Sequence, residues 1–206
     1  MTSPGARMTD DLLRLLPARE GHFRLESGHH GERWLDLESL CLDVSAVRES
    51  ARRLCRRLSA YEIDTVCGPL IEGAFVALLV AEQLAVPFTY AVPQPPATDT
   101  LFPVKYRLPA GLRSKVAGRR IAVINDVIGA GSAVRGTLDD LRACNARPVV
   151  IGTLAVAGEA AGRLAAENGV ALETLAEIAI RIWAPADCPL CGEGIPLLDA
   201  TAAASS

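Results

Sequence analysis

The chain has 206 residues, 50% of them hydrophobic and 22% charged, with a formal net charge of −3. That length and apolar content suit one domain with a sizeable core, and the near-balanced charge excludes the basic footprint of a nucleic-acid binder. No apolar run reaches the roughly 20 residues of a membrane-spanning helix. The N-terminus has no signal-like apolar segment, so the six cysteines are expected as reduced thiols in a cytoplasm.

In chain order, residues 9–17 are predicted as a short helix, with Thr9 as N-cap, Asp10 and Asp11 in the first turn, and Pro17 beyond the last leucines. Two extended pieces follow, Gly21 to Gly28 and Arg33 to Leu37. The turn between them carries His29 and His30, expected to be exposed. Asp43 to Ala60 reads as a helix with Val47, Ala51, Leu54, Cys55 and Leu58 on one face. Arg48, Arg52, Arg53, Arg56 and Arg57 form its solvated face. Ile63 to Cys67 is a strand, Gly68 to Gly73 a tight loop, Ala74 to Ala85 a buried apolar helix, and Pro87 to Val92 another strand. After the central stretch come a strand over Pro148 to Ala155, a helix over Glu159 to Asn168 with Gly169 beyond its end, and a last strand over Leu172 to Ile180. Alternating strands and helices predict a parallel sheet covered on both faces.

The central stretch, Arg119 to Ala143, carries the chemistry. Ile121 to Ile124 form a short buried strand, Asn125 and Asp126 close it, Gly129 to Ser132 make a small-residue turn, and a helix starts at about Ala133. Free backbone N–H groups and the dipole at a helix start favour an anion, and glycines let a phosphate approach closely. Ser132 adds a hydroxyl donor, and Asp126 would accept hydrogen bonds from sugar hydroxyls beside the phosphate. The stretch has neither the Gly-Lys-Ser/Thr of a P-loop nor a GxGxxG. The plain alternative is an ordinary strand–turn–helix.

Val123-Ile124-Asn125-Asp126-Val127-Ile128-Gly129-Ala130-Gly131-Ser132-Ala133 resembles the phosphoribosyl pyrophosphate (PRPP) loop of type I phosphoribosyltransferases. Its continuation, Ala133-Val134-Arg135, is most similar to orotate phosphoribosyltransferases, as is Phe23-Arg24-Leu25-Glu26-Ser27-Gly28 near the N-terminus. The resemblance covers about residues 20–180. It implies the α/β type I phosphoribosyltransferase fold: a central, mostly parallel sheet flanked by helices, with a core of about 43–180. A small hood would come from about 9–40 together with the C-terminal segment 181–199. It further implies a homodimeric enzyme that transfers ribose 5-phosphate from PRPP to a pyrimidine-type nucleobase nitrogen. Pyrophosphate would leave, and Mg²⁺ would be carried by PRPP without protein ligands. Mapped onto this chain, Gly129, Ala130, Gly131, Ser132 and Ala133 would bind the 5-phosphate, and Asn125 and Asp126 the ribose. The loop Gly68, Pro69, Leu70, Ile71, Glu72 and Gly73 would hold pyrophosphate, and Ser27, Gly28, Trp34 and Arg135 would lie near the base.

The chain departs from the family pattern at four places. Glu26 and Glu72 stand where some members have lysine, and Asn125 stands where an acid is usual. The stretch 93–118 has no cation or histidine before Lys105, whereas the family carries a mobile loop rich in Arg and Lys. Lys105 and Arg107 either replace those cations as catalytic groups beside Asp126 or sit on the surface of a β-hairpin. A different acceptor base, or a PRPP- or nucleotide-binding regulatory protein without turnover, are the alternatives. Finally, Cys188-Pro189-Leu190-Cys191-Gly192 has the shape of half a zinc knuckle. Cys41 and the His22, His29 and His30 group are the candidates for a second pair. Reduced buried thiols are the first reading of this pair, a zinc site the second and a redox pair the third.

Overall fold

The computed structural model describes residues 15–25, 27–94 and 105–199, the side chain of Glu72 excepted. The helix predicted over 9–17 lies mostly outside these residues, as does Glu26. The described chain opens with a hairpin, β1 (Ala18–Arg24) and β2 (His30–Leu35), followed by α1 (Val44–Leu58). Then come β3 (Thr65–Pro69), α2 (Glu72–Leu84), β4 (Phe88–Gln94), β5 (Lys105–Arg107), α3 (Ala110–Arg113) and β6 (Arg120–Ile128). The chain continues through α4 (Ser132–Ala143), β7 (Arg147–Ala157), α5 (Ala160–Asn168) and β8 (Ala171–Ile178). It ends with β9 (Ile182–Trp183), α6 (Pro189–Gly192) and β10 (Leu198–Asp199).

The larger sheet has six strands in the order β5-β4-β3-β6-β7-β8. All its pairs are parallel except the β4–β5 hairpin. Strand periodicity sorts its side chains between two cores. Ala122 and Ile124 join Leu54, Leu58, Val76 and Val80 under α1 and α2, whereas Ile121 and Val123 join Val134, Leu138, Leu141 and Leu164 under α4 and α5. Asp43 starts α1 by accepting the Ala46 N–H at 3.0 Å. The smaller sheet has four strands in the order β10-β1-β2-β9, so both of its edges come from the C-terminal segment. Among the described residues no helix is long and apolar enough to cross a membrane.

Three expectations change. Strand β6 runs on to Ile128, so Asn125 and Asp126 lie inside it. Val127 and Ile128 extend the β-branched run, and the long β7 supplies ladder partners as far as Val156. Helix α2 is not buried all round, since Phe75 and Leu78 are about half exposed. His30 is not an exposed turn residue: it begins β2 and is buried.

From β3 the chain passes through α2 to β4 on one side, but β6 returns on the other side of β3. The carboxyl ends of β3 and β6 therefore flank a topological switch point, where connections diverge and leave a crevice for ligands.

Candidate active site

That crevice holds a cavity of about 290 Å³. Four pieces of chain wall it: Pro69 to Ile71 and Gly73 from the end of β3 to the start of α2, Asn125 to Val134, the hairpin residues Leu25, Ser27, Arg33 and Trp34, and Tyr106 from β5. Ile180 and Ile182 close it from the C-terminal side.

The floor is set by Asn125 and Asp126, both buried. Asn125 donates from Nδ2 to the Val127 carbonyl at 2.8 Å. Its Oδ1 sits against Gly73, where any Cβ would collide with it, so the first turn of α2 can close on β6 only with glycine there. The Leu70–Ile71 peptide in that loop is cis. The Thr153 hydroxyl lies 2.8 Å from the Asp126 carbonyl and fixes the backbone that carries this carboxylate.

Above the floor, Gly131 caps α4 with φ +82°, and the Arg135 N–H makes the helical bond back to the Gly131 carbonyl at 2.9 Å. The earlier N–H groups of a helix have no internal partner. Here they belong to residues lining the cavity, and no acid stands in the first turn. This end of the cavity suits a phosphate. Arg33 is the one cation lining the cavity among the described residues. Arg33 pairs with Glu20 at 2.7 Å, and both side chains are exposed enough for that pair to exchange readily. Trp34 stands next to it, with the Arg19 guanidinium 5.6 Å from its ring centre. Ser27 is buried at the hairpin tip, its hydroxyl 3.1 Å from His29 Nδ1.

The structure thus gathers Asn125, Asp126, Gly129 to Ala133, Pro69 to Ile71, Gly73, Ser27 and Trp34 around one space. Gly68 lies within β3 instead, packed tightly under Ala74 and Ala77. Gly28 takes φ +79° in the hairpin turn and does not line the cavity. Arg135 also lies outside the lining and pairs with Glu167 on α5 at 3.1 Å.

Lys105 and Arg107 flank Tyr106 on β5. Alternation along the strand turns Tyr106 inward and the two cations outward. They line an adjoining groove that shares Tyr106 and Ser132 with the cavity, and Arg107 Nε is 4.0 Å from Asp140 Oδ1. Asp140 holds this hairpin on α4 by accepting the Leu108 N–H at 2.8 Å and pairing with Arg113 at 2.6 Å. Gly136 completes the fit, since a Cβ there would come within 3.0 Å of the Tyr106 nitrogen.

Sequence reasoning missed Arg33 and Tyr106. Arg33 adjoins Trp34, and the period of two in Lys105-Tyr106-Arg107 was the signal for Tyr106. Away from this cavity, Cys188 and Cys191 meet His22 and His30, while Cys41 and His29 are not in that group. Of the other cysteines, burial pushes the Cys55 thiol to about 11 and Cys67 higher still, so both stay protonated near neutrality.

No family model matches the chain. Among solved structures it is similar to the adenine phosphoribosyltransferase of Rhodothermus marinus (TM-score 0.67, 14% identity, 84% of this chain and 99% of the other). It is also similar to the orotate phosphoribosyltransferase of Aeropyrum pernix (TM-score 0.62, 23% identity, 85% and 94%). With the cavity at the switch point, these likenesses define the fold as that of the type I phosphoribosyltransferases. In sequence, the chain is 33% identical over 182 residues to the orotate phosphoribosyltransferase of Pelotomaculum thermopropionicum, covering 85% of this chain and 86% of the relative. The chain belongs to the orotate phosphoribosyltransferase family.

Proposed function

We propose that the chain transfers ribose 5-phosphate from PRPP to the ring nitrogen of orotate, releasing pyrophosphate, as a homodimer in the cytoplasm. One observation carries this reading. A single cavity is lined by the start of α4, whose free N–H groups suit an anion, by the buried Asp126, and by Arg33 and Trp34.

In this reading the first turn of α4 holds the 5-phosphate, and Asp126 accepts hydrogen bonds from the ribose hydroxyls. The Pro69 to Gly73 loop receives the pyrophosphate. Trp34 and Ser27 hold the base, and Arg33 pairs with the carboxylate that distinguishes orotate from uracil. Departure of pyrophosphate leaves an oxocarbenium-like sugar, so positioning and charge neutralisation supply the rate without a covalent nucleophile. Lys105 and Arg107 border the groove next to Ser132, and we assign them to the leaving pyrophosphate in place of the family's loop cations. Asp126 is the one carboxylate lining the cavity among the described residues, which fits a Mg²⁺ held chiefly by substrate oxygens and water. The ion would neutralise pyrophosphate charge.

Pyrophosphate release from PRPP and Mg²⁺, measured across orotate, uracil and adenine, tests the reading. Turnover with orotate supports it. Turnover with another base alone assigns a different acceptor. PRPP binding without turnover on any base identifies a regulatory binder.

A further inference from the structure

A second site lies on the smaller sheet, outside the cavity. His22 on β1, His30 at the start of β2, Cys188 and Cys191 direct their donor atoms to one point, all within 4.8 Å of one another. His22 Nε2 is 3.1 Å from His30 Nδ1 and 3.4 and 3.7 Å from the Cys188 and Cys191 sulfurs, and His30 Nδ1 is 3.3 Å from the Cys191 sulfur. With Zn–N near 2.0–2.1 Å and Zn–S near 2.3 Å, a tetrahedron has edges of about 3.3 Å between nitrogens and about 3.6 Å between nitrogen and sulfur. These four distances lie within about 0.3 Å of the edges of such a tetrahedron.

We propose that these four residues bind one structural zinc ion, His22 through Nε2, His30 through Nδ1, and both cysteines as thiolates. Three further features fit a closed Cys₂His₂ site. His22 Nδ1 is 2.8 Å from the Ile195 carbonyl and donates to it, which leaves the Nε2 lone pair facing the cluster, the outer-shell arrangement that orients a ligand histidine. His22, His30 and Cys188 are buried, and Cys191 alone is exposed. The four donors, two imidazoles and two thiols, are the set that zinc prefers over magnesium or calcium.

The ion has a defined structural task. The chain from β9 to β10 must cross from one edge of the smaller sheet to the other, and Cys188 and Cys191 stand on that crossing. Zinc would pin the crossing to the β1–β2 hairpin next to its turn, where Arg24 pairs with His30. The tip of the same hairpin carries Ser27 into the cavity. On the proposed function, metal loss should therefore raise KM for the base more than KM for PRPP.

The test uses the full chain purified under reducing conditions without chelator. Elemental analysis should find one zinc per chain. Cobalt substitution should give the visible band of a tetrahedral ion and a thiolate-to-cobalt charge-transfer band. Cys191→Ser changes the exposed ligand and should abolish both signals while calorimetric PRPP binding persists. If that variant fails to fold, the wild-type cobalt spectrum decides alone. A folded wild-type chain with less than about one-tenth equivalent of zinc and no tetrahedral cobalt spectrum would overturn the proposal, as would a Cys188–Cys191 disulfide in the mass spectrum of the native chain. Metal content is read without PRPP or a base, so failure of the enzymatic reading leaves this result intact.

Discussion

Asn125 and Asp126 are neighbours in sequence, but their side chains do different work. Asp126 is buried where it lines the cavity, whereas Asn125 spends its amide on the Val127 carbonyl and packs its oxygen against Gly73. An aspartate at 125 would set a carboxylate against that carbonyl, two acceptors with no proton between them. Asn125→Asp should therefore cost about 1–3 kcal/mol in urea unfolding, although it restores the acid usual in the family. Equal stability with higher turnover would show that Asn125 is only a ribose ligand. Arg33→Ala should raise KM for orotate by at least about tenfold, because a charge-assisted pair is lost, and leave KM for PRPP unchanged. An equal rise for both substrates would remove Arg33 from base recognition. The motif Asn-Asp-x-x-Gly-x-Gly-Ser was legible because its backbone function depends on residue type and order alone. Arg33 was not, since its place at the cavity depends on how β2 docks over β6.

At the scale of elements, the alignment of β3 with β6 decides where the crevice opens, and one ion pair fixes it. Asp64, just before β3, accepts from the backbone N–H of Arg120 at 2.9 Å, from its Nε at 3.1 Å and from a terminal guanidinium nitrogen at 2.8 Å. The Arg120 guanidinium and N–H hold the Asp64 carboxyl well below the usual carboxylate range. A depressed native pKa stabilises the fold fully above the unfolded value of about 3.9 and loses that contribution as pH falls toward the native value. Asp64→Asn should thus lower Tm near pH 7, and the gap to wild type should narrow as pH falls from about 5 to about 2. A gap constant across that range would exclude the ion pair as its cause. Apolar periodicity revealed α1, α4 and α5 because each has one solvated face. It misjudged α2, which is apolar on its exposed side too, and the end of β6, where polar Asn125 and Asp126 interrupt an apolar run that continues.

For the whole molecule, the exposed apolar stripe of α2 bears on assembly. Ile71, Phe75 and Leu78 fall on one side at helical spacing, Leu42 and Val44 are also exposed, and Ile71 lines the cavity as well. A homodimer formed through this stripe would place the partner beside the Pro69 to Ile71 wall of the cavity. Phe75→Glu should then convert a dimer to a monomer in light scattering and reduce turnover with it. An unchanged mass would move the interface elsewhere. The four-donor cluster was partly legible in the sequence, which offered Cys188 and Cys191 with Cys41, His22, His29 and His30 as candidates for the second pair. His22 and Cys188 are 166 positions apart, and only the closing of both edges of the smaller sheet by the C-terminal segment brings them together. The Cys-x-x-Cys pair was visible as half a site, but selecting His22 and His30 from the candidates needed the fold, because His30 looked like an exposed turn residue.

The proposed reaction is transfer from PRPP to orotate in the cavity that Asp126 lines. Its most direct test is Mg²⁺-dependent pyrophosphate release with PRPP and orotate, wild type against Asp126→Asn. Orotate-dependent turnover should fall by about a hundredfold or more in the variant while the chain stays folded. Wild-type PRPP binding with no release on orotate, or a variant as active as wild type, would contradict it.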